Sequence, residues 1–380
     1  PFVDPEGFKF GENEDQNVIK CGSYVGNGSS TGPEIHLDWE PQWLLVRNTN
    51  DTRNWVIFDC MRGWANSPDN TDIRAYPNTN HGDSIFKVSH PTSTGFKITS
   101  NLGEHNENNH TFIYCAIRRP DALVGKPAEV GTDVFAMDTG DSSGGQGFDS
   151  GFPVDFALVK PPASTGSWET GHRLIQNKYL HTDTSGAENS TTTFTFDSND
   201  GWLNPSGYTS SYQSWMWKRH AGFDVVTWKG DGVAGRDIRH SLGKIPEMIW
   251  LKARTNTDRW IVYHKGLNGG VNPWDYELRL NENVAESRWS NWYDTAPTSS
   301  FFRVDNTGVT NGSTQEYIAM LFASVDGISK MGYYDGSNSS QTITTGFQPR
   351  FLVIKVIDTN REWQVLDTTR GWGAGIDNRL

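Results

Sequence analysis

Residues 40–59 read EPQWLLVRNTNDTRNWVIFD, which predicts a single β-hairpin. A proline opens the stretch, and two apolar runs flank a polar segment rich in Asn, Thr and Asp. Short apolar runs separated by turn-forming residues are typical of two antiparallel strands. Nearly the same phrase returns as IPEMIWLKARTNTDRWIVYH at 245–264 and QPRFLVIKVIDTNREWQVLD at 348–367, with a looser copy at 152–172.

The spacing inside this phrase is almost constant. Fourteen residues separate Pro41 from Trp55, and the copies at 245–264 and 348–367 keep that interval, while the copy at 152–172 has 15. A basic residue also follows each proline by six or seven positions; these are Arg47, Lys160, Lys252 and Lys355. Self-similarity at a fixed period indicates a tandem array. We therefore predict that the four repeated tryptophans are structural core residues; these are Trp55, Trp168, Trp260 and Trp363.

The distances between the copies predict repeats of about 100 residues, which is an ordinary domain size. Other segments repeat with them, since HPTSTGFKITSN at 90–101 matches APTSSFFRVDNT at 296–307. No stretch of ten or more residues keeps a helical period, so we predict an all-β fold of tandem, jelly-roll-like β-sandwiches.

The expected boundaries follow from the copies. Residues 1–19 are interpreted as the end of a preceding element and 123–130 as a linker. Repeat 1 covers 20–122, repeat 2 covers 131–222, repeat 3 covers 223–328, and a truncated repeat 4 covers 329–380.

Composition narrows the function classes. The net charge is −12, and no basic stripe is present, which disfavours nucleic-acid binding. The longest apolar run, at 317–325, is far shorter than the roughly 20 residues of a membrane-spanning helix. Cys21, Cys60 and Cys115 are far apart in sequence, so free buried thiols are expected rather than a disulfide framework or a zinc site.

Three phrases carry a family resemblance: YVGNGSSTGPEIHLDWEPQWLLVRN at 24–48, MIWLKARTNTDRWIVYHKGL at 248–267 and YIAMLFASVDGISKMGYYDG at 317–336. Over about residues 17–380 the chain resembles tandem β-domain virion structural proteins of marine tailed bacteriophages, the tail fibre-like proteins of cyanophages and pelagiphages. The resemblance implies a virion component located in the extracellular particle. It brings no set of catalytic residues.

Candidate catalytic motifs have simpler structural interpretations. GSSTG at 28–32 and GDSSG at 140–144 match GxSxG, but both fall in a glycine-rich turn rather than in the strand–turn–helix of a nucleophile elbow. Asp59, His264 and Asp367 share the slot four residues after the repeated tryptophan, which favours a turn hydrogen bond over a glycosidase carboxylate pair. We expect no enzyme, no cofactor and no metal site, although DSND at 197–200 could hold Ca²⁺.

Tryptophans without counterparts in most repeats are the candidate ligand-binding residues, since the repeated fold does not demand them. They are Trp202, Trp228, Trp274, Trp289 and Trp292. Exposed indoles beside Asn, Asp and Arg suit glycan recognition, while tryptophan is also enriched at protein interfaces. Glycan binding, an interface with another subunit and local core packing all stay open.

Three functions follow as hypotheses. The favoured one is a tail fibre or other appendage that displays β-domains for assembly and host-surface attachment. Its expected partners are other virion proteins, itself as a homo-oligomer such as a trimer, and a host cell-surface glycan, with no nucleic acid and no membrane insertion. The second is a carbohydrate-binding adhesion array, and the third is a polysaccharide depolymerase with two close acidic residues in a cleft.

Overall fold

The structure, a computed structural model, describes residues 18–65, 73–119, 130–141, 147–175, 177–191, 194–196, 198–202 and 207–373. Its strands pair antiparallel in several sheets, so the predicted all-β, tandem β-sandwich fold is confirmed. Among the helices of this described part, none is long and apolar enough to cross a membrane.

The strands fall into four groups that follow the sequence repeats. Repeat 1 contains β1 (Ile19–Val25), β2 (Glu34–His36), β3 (Pro41–Asn48), β4 (Val56–Asp59), β5 (Ile73–Arg74), β6 (Ser84–Ile85), β7 (Ser89–Thr92), β8 (Gly95–Ile98) and β9 (Thr111–Arg118). Repeat 2 contains β10 (Phe135–Thr139), β11 (Phe148–Asp149), β12 (Phe156–Lys160), β13 (Glu169–His172), β14 (Lys178–His181), β15 (Asn189–Ser190), β16 (Gly201–Trp202) and β17 (Gln213–Trp217). Repeat 3 contains β18 (Phe223–Lys229), β19 (Arg236–Arg239), β20 (Met248–Ala253), β21 (Ile261–His264), β22 (Tyr276–Arg279), β23 (Ser287–Arg288), β24 (Phe301–Val304) and β25 (Glu316–Phe322). Repeat 4 contains β26 (Phe351–Ile354) and β27 (Gln364–Asp367).

Helical segments are short and lie in the connections. Among the described residues, the α-helix is α1 (Gly103–Asn106), and the 3-10 turns are Cys60–Arg62, Gly131–Asp133, Arg173–Ile175, Leu267–Gly270, Pro273–Asp275, Ser290–Trp292 and Thr368–Arg370.

Repeats 2 and 3 have the same large sheet. Its order is β10-β17-β12-β13-β14-β15 in repeat 2 and β18-β25-β20-β21-β22-β23 in repeat 3. Repeat 1 keeps the first four positions as β1-β9-β3-β4. The predicted hairpin is therefore β3–β4, β12–β13, β20–β21 and β26–β27. In repeats 1 to 3, the first strand of this hairpin also pairs with the last strand of the repeat, which is β9, β17 or β25.

The core of each sandwich lies between this large sheet and a smaller one. In repeat 2 the pair β11–β16 covers the large sheet, and Phe148, Trp202 and Phe194 pack against Met216 of β17. In repeat 1, Phe96 of the small sheet β2-β8-β7 lies in one cluster with residues of β1, β3 and β9. Burying apolar side chains on one face of each sheet is the main stabilising contribution in such sandwiches.

The glycine-rich turn that opens each repeat has a structural cause. A Cβ on Gly26, Gly140 or Gly230 would lie 2.2, 2.4 and 2.1 Å from a backbone carbonyl oxygen, so only glycine lets the chains approach. Beyond the glycine, a buried asparagine holds the turn: Asn106 Oδ1 accepts from Asn27 N at 2.8 Å, and Asn311 Oδ1 accepts from Asp231 N at 3.3 Å. The GxSxG match at 28–32 therefore lies in a turn that is held by side-chain hydrogen bonds. Most of the match at 140–144 lies outside the described residues.

The repeats do not each form a separate compact body. The chain divides into Pro1–Val124 with Leu174–Gln176 as a first unit, and Gly125–Arg173 with Asn177–Leu380 as a second. Repeats 2, 3 and 4 thus share the second unit. The predicted linker at 123–130 and the predicted preceding element at 1–19 lie almost wholly outside the described residues.

Candidate functional site

In repeats 1 to 3, the repeated basic residue closes the hairpin loop in front of the repeated tryptophan. Arg47 Nη2 donates to Asp51 O at 3.3 Å, and Lys252 Nζ donates to Asn256 O at 3.1 Å. Lys160 Nζ donates in the same way to Gly166 O and lies 5.6 Å from the centre of the Trp168 ring. A cation over an indole face adds attraction between the two side chains. The loop and the tryptophan are therefore fixed together.

The tryptophan of repeat 3 binds the edge of repeat 2. Trp260 is fully buried, and its Nε1 donates a 2.8 Å hydrogen bond to the carbonyl oxygen of His181 at the end of β14. Because a buried indole N–H is costly to leave without an acceptor, this contact fixes one repeat against the other.

The same contact joins repeat 4 to repeat 3. Trp363 Nε1 donates at 2.8 Å to the carbonyl oxygen of Arg279, at the end of β22. His181 and Arg279 are equivalent, because each pairs in its sheet with the residue that follows the repeated tryptophan. Two successive junctions therefore use one geometry.

A second repeated bond lies beside the first. Glu188 N donates to Arg254 O at 2.7 Å between repeats 2 and 3, and Glu286 N donates to Ile357 O at 2.8 Å between repeats 3 and 4. At the first junction the Arg254 Nε and Glu188 Oε2 atoms also form a buried ion pair at 2.7 Å.

Repeat 4 also contacts repeat 2. Repeats 2, 3 and 4 therefore contact one another in a ring. Phe156 of repeat 2 stacks on Phe223, the first residue of repeat 3's first strand, with ring centres 5.7 Å apart. Phe351, which occupies the position of Phe156 in the phrase, lies 5.3 Å from Phe135, the first residue of repeat 2's first strand. The relation between repeats 2 and 3 thus recurs between repeats 4 and 2.

These positions correct the sequence interpretation of the repeated tryptophans. We expected Trp55, Trp168, Trp260 and Trp363 inside the core of each repeat, but only Trp260 is fully buried and the other three are half-buried. Trp260 and Trp363 reach past their own sheet to the neighbouring repeat. Recurrence across repeats therefore reflects junction packing here as well as core packing.

A partly open cavity of about 210 Å³ lies where equivalent strands of the three repeats meet. Leu158, Trp250 and Val353 hold the same place in the phrase, and all three line it. Two of the repeated tryptophans, Trp168 and Trp363, line it as well.

The polar lining of this cavity is acidic. The polar residues that line it are Thr182, Asp183, Asn281, Glu282 and Glu362, and no Lys, Arg or His belongs to the lining among the described residues. Glu282 Oε2 accepts from Arg279 Nη1 at 2.8 Å, and Glu362 Oε1 accepts from an asparagine amide at 3.0 Å. Asp183 is exposed and has no hydrogen-bond partner among the described residues.

The five unrepeated tryptophans do not form one open face. Trp202, Trp228 and Trp292 are buried at 0%, 4% and 2% exposure, each within its own repeat. Trp274 is half-buried, and only Trp289 is exposed, at 48%, with the Arg259 guanidinium 5.0 Å from its ring centre. The three buried indoles lie inside the sandwich, where they present no face to a ligand.

The repeated acidic slot after the hairpin is confirmed as a turn. Asp59 Oδ1 accepts from Arg62 N at 2.9 Å, and Asp367 Oδ1 accepts from Arg370 N at 3.0 Å, so each caps a 3-10 turn. His264 Nδ1 accepts from Gly266 N at 3.0 Å in the same slot. Within the described ranges no group of three or more His, Cys, Asp or Glu side chains is placed to hold a metal ion.

Sequence reasoning missed the acidic cavity, although a signal existed. Asp183 and Asn281 both stand two residues after the junction acceptors His181 and Arg279, so alignment of the repeats brings them into one slot. Their meeting in one cavity depends on the ring of repeats, which the sequence does not reveal.

The chain belongs to a family defined as a domain of unknown function (DUF7483), whose model matches residues 13–119 and again 136–379. The two matches cover repeat 1 and the span of repeats 2 to 4. No curated protein matches the chain.

Proposed function

We propose that the chain is a structural component of a bacteriophage virion, a tail fibre or other appendage that displays β-domains for assembly and host-surface attachment. It acts without catalysis and is located in the extracellular particle. Its partners are other virion proteins, further copies of itself and a cell-surface glycan.

The observation that carries the proposal is the use of the repeated phrase as a junction. Trp260 and Trp363 join successive repeats with the same indole-to-carbonyl bond. A motif that fixes one domain against the next builds a rigid assembly and leaves the turns of each sandwich available for contact. The phrases that resemble marine phage virion proteins support the same conclusion.

The buried charges also support a scaffold. Glu277 is fully buried and accepts from Arg259 Nε at 3.0 Å, from Arg279 Nε at 3.3 Å and from the Asn291 amide. A carboxylate paired with two guanidinium groups and an amide is neutralised and largely satisfied by hydrogen bonds, which favours a role in holding strands together.

The experiment is immunogold labelling of purified virions of a phage that encodes the chain, with an antibody raised against residues 18–373. We expect label on a tail appendage, and mass spectrometry of gradient-purified particles should contain its peptides. A chain found only in the soluble lysate fraction would remove the proposal. Light scattering of the isolated chain tests the homo-oligomer.

A carbohydrate-binding adhesion array is the second candidate, and the aromatic, acidic cavity between repeats favours it. Immunogold labelling distinguishes the two functions. An adhesion module that is not part of a virion would bind glycans but would give no gold label on the particles.

A further inference from the structure

The cavity between repeats 2, 3 and 4 has the chemistry of a sugar site. Its wall combines the indoles of Trp168, Trp250 and Trp363 with an open carboxylate, Asp183, and an amide, Asn281. Flat aromatic faces pack against the apolar face of a pyranose, and carboxylate and amide edges accept and donate hydrogen bonds to its hydroxyls.

Trp168 differs from its equivalents in a way that leaves a donor for a ligand. The indole N–H groups of Trp260 and Trp363 are bonded to carbonyl oxygens of the preceding repeats. Trp168 instead packs against Trp215 with the two rings tilted by 33° and their centres 5.1 Å apart, and no acceptor for its Nε1 lies among the described residues. Trp168 also lines the cavity. Its indole N–H is therefore available to a ligand, whereas the indole N–H groups of Trp260 and Trp363 are already hydrogen-bonded.

Size and charge restrict the ligand. A volume of about 210 Å³ is below the roughly 300–1,000 Å³ of pockets for drug-sized molecules, which suits one ring of a larger chain. Of the three carboxylates in the wall, Glu282 is paired with Arg279 Nη1 at 2.8 Å, whereas Asp183 has no hydrogen-bond partner among the described residues and presents its charge to the cavity. Like charge disfavours an anionic sugar, whereas a neutral or amino-substituted ring meets hydrogen-bond acceptors.

We propose that this cavity binds one uncharged or amino-substituted sugar ring of a glycan and excludes acidic sugars. Trp168 and Trp363 contact the ring faces, while Asp183 and Asn281 contact its hydroxyl or amino groups. This inference deepens the host-attachment role proposed above and rests on it for its biological setting.

The test is isothermal titration of the 380-residue chain with three probes: a neutral manno-oligosaccharide, a glucosamine oligosaccharide and an oligogalacturonate. We expect saturable binding of at least one of the first two and none of the third. Asp183→Ala should weaken that binding at least fivefold. Asp326→Ala is the matched control, because this aspartate is also exposed but lies outside the cavity, and its variant should bind as the native chain does.

Trp168→Ala should abolish binding, and far-ultraviolet circular dichroism checks that the variant is folded. Because Asp183 is exposed, its variant keeps the test valid if Trp168→Ala fails to fold. Binding of the oligogalacturonate, equal affinity of the native and Asp183→Ala chains, or no binding of any probe would each overturn the site. If the virions are labelled but the chain binds no sugar, the appendage role is still supported and only the proposed sugar site is rejected.

Discussion

The indole Nε1 of Trp260 lies 2.8 Å from the carbonyl oxygen of His181 in the preceding repeat, and Trp363 repeats this contact on Arg279. In these two of the four copies of the phrase, the repeated tryptophan therefore reaches the adjoining repeat. The junction joins a donor in the phrase to a carbonyl oxygen at the end of β14 or β22, the fifth strand of the neighbouring sheet.

Trp260→Phe should destabilise the second compact unit. The substitution keeps an aromatic ring but removes the indole donor, which leaves the His181 carbonyl without this partner at a cost of about 1–3 kcal/mol. Urea unfolding monitored by circular dichroism measures the loss. Trp289→Phe is the matched control, since that indole is 48% exposed and should change stability by less than about 0.5 kcal/mol. Equal stability of the two variants would contradict the junction role.

Glu188→Gln should weaken the junction between repeats 2 and 3. The Glu188–Arg254 pair is buried, with side chains 4% and 0% exposed, so removing one charge leaves a desolvated guanidinium. Breaking such a pair costs about 3–5 kcal/mol. Asp237→Asn breaks the exposed Arg303–Asp237 pair and should cost about 1 kcal/mol or less. Chemical unfolding measures the free energy of unfolding of both variants. A smaller loss for Glu188→Gln than for Asp237→Asn would count against the junction role of the buried pair.

Acid should destabilise the chain as the pH falls from about 6.5 toward 4. Burial lowers the pKa of His172 to about 3 and of His240 to about 4, so these rings stay neutral when folded but take up protons when unfolded below their usual pKa of 6.5. The unfolded state then binds more protons, and stability falls with falling pH. Asp224 acts oppositely: burial raises its pKa to about 6, so between about 6 and 3.8 the folded state binds the extra proton and gains stability as the pH falls.

Thermal melts between pH 7.5 and 4.5 check this balance. We expect the melting temperature to fall with pH, since lowered pKa values also affect His220 and His264, to about 4 each. His172→Gln should flatten the profile below pH 6.5, because it removes one of the buried imidazoles. A rising melting temperature on acidification would reject the prediction.

Gly230→Ala should disrupt the opening turn of repeat 3. Its Cβ would lie 2.1 Å from the Gly312 carbonyl oxygen, and such overpacking costs about 1–3 kcal/mol. Gly332→Ala is the control, because no atom lies within 4 Å of the Cβ that it adds. If thermal melts place both variants at the native melting temperature, the close approach is not needed.

Mild oxidation with diamide should join Cys21 to Cys115. The two residues stand directly opposite each other in β1 and β9, a placement whose Cα separation suits a disulfide. Cys21 is exposed, which differs from the expectation of buried thiols. Burial raises the pKa of Cys115 to about 11, so Cys21 is expected to react first.

Thiol titration and mass spectrometry measure the product. Two of the three thiols should disappear without a change of oligomeric state, and Cys60→Ser should not prevent it. Cys21→Ser should abolish the intramolecular bond. A disulfide that includes Cys60 would contradict the predicted pairing.

The sequence by itself determined the repeating hairpin, the all-β class and the acidic capping turn, because these depend on local rules. Apolar alternation places residues on one sheet face, and Asp59 contacts a backbone amide only three residues away. The glycine-rich turns could likewise be read as turns, since backbone conformation there depends on neighbouring residues.

Only the tertiary structure decided which tryptophans face a neighbour and which lie in a core. Trp292 and Trp289 are three residues apart in an unrepeated segment, yet one is 2% and the other 48% exposed. Trp168 and Trp260 share one slot, yet one lines a cavity and the other is sealed by His181. These outcomes depend on how repeats that are distant in sequence pack together. The alternation of apolar and polar residues along one strand does not indicate which repeat will lie beside that strand.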